Sequence, residues 1–68
     1  MSKTVERNGT RIRIVDVETG REMWNGRTDS IPPQDIRYSE GGIKKILSVA
    51  RSTDEQLLQA LEHLLNPT

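Results

Sequence analysis

Apolar positions along this 68-residue chain change their spacing once. In the first part they are interleaved with charges, and near the end they form a leucine stripe. Leu57, Leu58, Leu61, Leu64 and Leu65 recur at helical spacing. Ser52-Thr53-Asp54-Glu55 precedes them, with Ser52 and Glu55 three apart in the pattern of a capping box. The stretch 53–65 is therefore expected to be a helix that turns Glu55, Gln59, Glu62 and His63 to water. Asn66-Pro67-Thr68 is expected to end it, because proline disfavours helical geometry in the residue before it.

The stretch 3–25 reads as an antiparallel β-meander. Asn8-Gly9 is a hairpin signal, since both residues tolerate the positive φ of a type I′ turn; Glu18-Thr19-Gly20 is expected to make the next turn and Asn25-Gly26 to end the third strand. Strands are expected at 3–7, 10–17 and 21–25, the middle one rich in β-branched residues that suit a pleated surface. That strand does not alternate cleanly, because Ile12 and Ile14 point one way and Val15 and Val17 the other. A β-bulge near Ile14, burial of both faces, or a misplaced strand limit would each account for this. Simple alternation also sets Met23 and Trp24 on opposite faces.

The segment 28–35 contains Pro32-Pro33 and reads as a connection. Beyond it, Ile43, Ile46, Leu47 and Ala50 fall at i, i+3, i+4 and i+7, which predicts a second short helix at 40–50, capped by Ser39 with Tyr38 stapled against Ile43. Arg51-Ser52 would then link two antiparallel helices. Gly41-Gly42 oppose that reading, since each costs about 1 kcal/mol in a helix relative to Ala. The alternative is a turn at Glu40-Gly41-Gly42 between strands at 36–39 and 43–49. The preferred fold class is α+β: a small meander over about 3–25, the C-terminal helix 53–65 and the second helix 40–50.

Composition restricts the rest. The chain reads as one small domain, residues 1–68, whose core must be aliphatic: it has no Phe, one Trp and one Tyr. A domain of this size buries only about 60% of its unfolded surface. It has no cysteine, hence no disulfide, and the stability it lacks is expected from a partner, most simply a second copy. No apolar run is long enough to cross a bilayer and no secretory leader pattern opens the chain, so a cytoplasmic, non-membrane protein is expected. Charge is balanced at ten basic against ten acidic residues, with six against four in 1–27 and one against three in 51–68. That gradient is too shallow to define a phosphate-binding surface by itself.

Chemistry-bearing residues are sparse. His63, the one histidine, lacks a neighbouring nucleophile in the sequence, and Asp16, Glu18, Glu22, Asp29 and Asp35 are dispersed through turns and strand ends. No phosphate loop or nucleophile elbow is present. The expectation is no catalysis, no metal, no cofactor and no small-molecule substrate. Arg7, Arg11, Arg13 and Arg21 are candidate phosphate contacts on one sheet face, and pairing with Glu6, Glu18 and Glu22 is the preferred alternative. Trp24, Ile31, Tyr38, Val15 and Val17 are candidate protein-interface residues. The function expected first is a small homodimeric interaction or regulatory protein that binds a larger protein. Nucleic-acid binding through the arginine-bearing sheet, and a structural subunit of a larger assembly, are the alternatives.

Overall fold

Gly9, at φ 62°, reverses the chain between β1 (Lys3–Asn8) and β2 (Arg11–Asp16). Asn8 remains in the strand opposite Arg11, so the turn is Gly9-Thr10, with glycine at the first central position as a type II′ turn requires. The computed structural model describes residues 2–66; Pro67 and Thr68 lie outside that range. β2 pairs in turn with β3 (Glu22–Arg27), giving the expected antiparallel meander in the order β1-β2-β3.

β2 itself alternates without a break against β1, so its second apolar set comes from burial of Val15 on the other face and from the strand end before Val17. Ile14 faces Trp24 while Val15 faces Glu22, so Met23 is an extra residue on β3: the bulge lies beside Ile14, on the neighbouring strand. It corrects the expectation for Met23 and Trp24, because both now pack against the core. Val15 stays buried outside the core cluster, flanked in register by Thr4 and Glu22. Val17 lies beyond the end of β2 and is 59% exposed.

The expected helix at 40–50 is not formed. β4 (Asp35–Glu40) and β5 (Ile43–Ser48) make a separate antiparallel hairpin, and only Val49–Arg51 is helical, as a 3₁₀ turn. Gly41 and Gly42 decide this. At φ 57° and 81° they occupy the paired positive-φ positions of a type I′ turn, a geometry open to glycine and closed to a helix start. Ser39 and Tyr38 are accordingly strand residues, opposite Lys44 and Lys45, rather than a cap and a staple.

Helix α1 (Asp54–Leu65) forms close to the expected limits, but its cap is one residue later than expected. Thr53 Oγ1 accepts the Gln56 N–H at 3.2 Å, and Gln56 Oε1 accepts the Thr53 N–H at 3.0 Å. Ser52 instead turns inward and donates to the Ser48 carbonyl. The helix ends with the Asn66 N–H on the Glu62 carbonyl at 2.9 Å.

One core joins these parts: Ile12 and Ile14 from β2, Ile36 from β4, Val49, and Leu57, Ala60 and Leu61 from α1. The two sheets share no strand pair among the described residues. Gln34 bridges them, its carbonyl accepting the Val49 N–H at 3.1 Å and its side-chain Oε1 accepting the Arg27 N–H at 2.8 Å. Gln34 follows a connection that includes the cis bond Ile31–Pro32. Trp24 lies along β3 over buried Gly26, where a Cβ would overlap its ring and stand 2.9 Å from Gln34 Oε1. Gly26→Ala is therefore expected to cost about 1–3 kcal/mol through overpacking. Asn25→Ala, at the exposed neighbour, should stay within about 0.5 kcal/mol. Urea denaturation followed by Trp24 fluorescence measures both.

Candidate interaction surface

Antiparallel pairing disperses the arginines that the sequence groups together. Cross-strand partners share a face, so Arg7, opposite Ile12, lies on the core side of the meander, while Arg11 and Arg13, opposite Asn8 and Glu6, lie on the other. Arg7 reaches the start of α1: Nε donates to Asp54 Oδ1 at 2.9 Å and Nη2 to the Ser52 carbonyl at 3.1 Å. Arg13 stands between Glu6 and Glu22, at 3.5 and 3.4 Å. Arg11 is exposed opposite Arg27, and Arg21 is exposed before the far end of β3. Arg27 is occupied by Asp29, at 3.0 and 3.1 Å, and its hydrogen bonds hold the Asp29 carboxyl below the usual carboxylate range.

The apolar interface candidates are likewise not contiguous. Trp24 is half-buried against the core, and Val15 is buried. Tyr38 is half-buried and stacks on His63, with ring centroids 5.3 Å apart and planes 12° from parallel. Val17 and Ile31 are exposed, Ile31 at 98%, but one follows β2 and the other sits in the connection after β3. His63, expected to face water, is half-buried between Tyr38 and Glu40, its Nε2 3.7 Å from Glu40 Oε1. Among the described residues no three His, Asp or Glu side chains converge as a metal site. No described helix is long and apolar enough to cross a membrane.

The surface that does combine apolar area with unmatched charge is the β4–β5 hairpin. Alternation sets Asp35, Arg37, Ser39, Lys44, Ile46 and Ser48 on its outer face, away from Ile36 and the core. Ile46 is 66% exposed and Ile43, beside the turn, 63%. A groove of ≈ 330 Å³ at this hairpin is lined by residues of both parities, Arg37, Ser39, Lys44 and Ile46 together with Tyr38 and Lys45. Among the described residues Arg37, Lys44 and Lys45 form no ion pair. Helical spacing hides this face because it assigns Ile46 to a helix. Gly41-Gly42 was the signal that could have found it.

Compared with protein-family models, with curated proteins and with solved structures, the chain matches none of them.

The Arg13 and Glu22 side chains are 39% and 40% exposed, although the Arg13 Nε between them is itself buried. A double-mutant cycle on Arg13 and Glu22 should therefore return a coupling of about 0.2–1 kcal/mol that shrinks with added salt. A salt-independent coupling above about 2 kcal/mol would mark a desolvated pair instead.

Proposed function

We propose that this chain is a small, non-catalytic interaction module of the cytoplasm that works as a homodimer and binds a larger protein by covering part of its surface. The observation that carries this reading is the outer face of the β4–β5 hairpin, where exposed Ile46 lies opposite Arg37 and near Lys44, and neither cation is paired with Asp35, the carboxylate that shares the face. Such a face suits a partner surface that carries acidic side chains around an apolar centre. Its contribution would be steric coverage or stabilisation of an assembly.

Nucleic-acid binding through the arginine-bearing sheet is less well supported. Arg7 and Arg13 are engaged with carboxylates, and Arg7 does not share the outer face with Arg11. The net charge of +0 supplies no long-range attraction to phosphate.

Light scattering of the purified chain at low and high salt, with and without mixed-sequence duplex DNA, separates these readings. The protein-binding reading expects a mass indifferent to DNA. A mass that rises with DNA, falls back at high salt and no longer rises in the Arg11→Ala/Arg13→Ala variant would overturn it in favour of the sheet. Closed oligomers above the dimer would favour a structural subunit.

A further inference from the structure

Strand β5 pairs with β4 on one side, and its other edge is open among the described residues. The Gly41-Gly42 turn fixes which main-chain groups face that edge. A two-residue turn closes with Glu40 and Ile43 hydrogen-bonded to each other, so Lys45 and Leu47 also bond towards β4. Lys44 and Ile46 therefore direct their N–H and C=O groups outward. Ile46 adds a side chain 66% exposed at the middle of that edge.

We propose that two copies of the chain join by antiparallel pairing of β5 with β5, centred on Ile46. This rests on the homodimer reading above and names its interface. A two-fold axis perpendicular to the sheet keeps each residue on its own face, so residues pair symmetrically about one central position. Centring on Lys44 or Lys45 would set a lysine directly against its own image, which is destabilising. Centring on Ile46 sets it against its own image, Lys44 beside Ser48, and Lys45 beside Leu47. Lysines on an open edge ordinarily discourage pairing. Here they select the register instead.

The thin shape leaves surface that a second copy could cover. The chain exposes 5032 Å². That is about 700 Å² more than the roughly 4,300 Å² of a folded monomer of its 7.7 kDa mass. A standard interface removes about 800 Å² from each partner. Pairing in this register also makes one four-stranded sheet, β4-β5-β5-β4, whose outer face doubles the Arg37, Lys44 and Ile46 surface assigned to the larger partner.

The test is solution mass over a concentration series for the wild type, Ile46→Asp and Ile31→Asp, with circular dichroism confirming that each is folded. The wild type and Ile31→Asp should weigh twice 7.7 kDa, and Ile46→Asp should fall to 7.7 kDa. Because the chain has no cysteine, Ile46→Cys gives a second readout that needs no loss of binding. Opposed Cα atoms about 5.5 Å apart allow a disulfide, so oxidation should link Ile46→Cys to itself and leave Lys44→Cys unlinked. A dimer that survives Ile46→Asp, or equal cross-linking at both positions, removes β5 from the interface and leaves the homodimer reading standing. A wild-type mass fixed at 7.7 kDa throughout removes both.

Discussion

Two sheets that share no strand pair among the described residues are held together by one apolar seam, and α1 supplies it. Leu57, Ala60 and Leu61 meet Ile12 and Ile14 from the meander and Ile36 from the hairpin, with Val49 closing the gap where β5 runs into the 3₁₀ turn. Polar contacts fasten the same junction from its rim. Gln34 joins β3 to the end of β5, and Arg7 ties β1 to the start of α1. Burial of the aliphatic side chains supplies most of the favourable energy, each worth about 1.5–3 kcal/mol when fully buried. The polar links add direction, fixing which residues of each sheet lie beneath the helix.

The shape of the molecule follows from that arrangement. One helix cannot cover two sheets completely, and the Cα positions span 33 × 32 × 15 Å, a slab rather than a sphere. The meander gains cover from Trp24, Met23 and the Glu6–Arg13–Glu22 contacts. The hairpin gains less. Tyr38 and His63 stack on its inner face, while its outer face and open edge keep Ile46, Lys44 and Arg37 in solvent. The functional proposals concern this less covered half, where the same thinness that limits the core leaves surface for a partner.

Much of the fold is legible in the residues. The turn at Gly9, the meander and the terminal helix follow from glycine placement, β-branched composition and leucine spacing. Spacing misleads at 43–48, because Ile43, Ile46 and Leu47 satisfy helical periodicity although they lie on a strand. Turn chemistry at Gly41-Gly42 overrode that periodicity. The cap moved from Ser52 to Thr53 because two neighbouring hydroxyls can both cap, and tertiary packing buried the first. The grouping of Arg7 with Arg11 and Arg13 failed on parity: antiparallel register places Arg7 across from Ile12. A bulge near Ile14 is one of three readings of the central strand; it lies instead at Met23 on β3, and simple alternation across that extra residue misassigns the facing of Met23 and Trp24. The candidate surface was legible least of all, because it depends on the one strand that sequence spacing disguised.

Native-state hydrogen exchange of the Leu57→Ala variant tests most directly whether one helix seam holds both sheets. Leu57 is fully buried between them, so its truncation should lower the protection of Ile14 in β2 and Ile36 in β4 together, by about 2–5 kcal/mol each. Loss of protection at Ile36 with Ile14 unchanged would mean that the meander stands without α1, and that the seam is not what unites the fold.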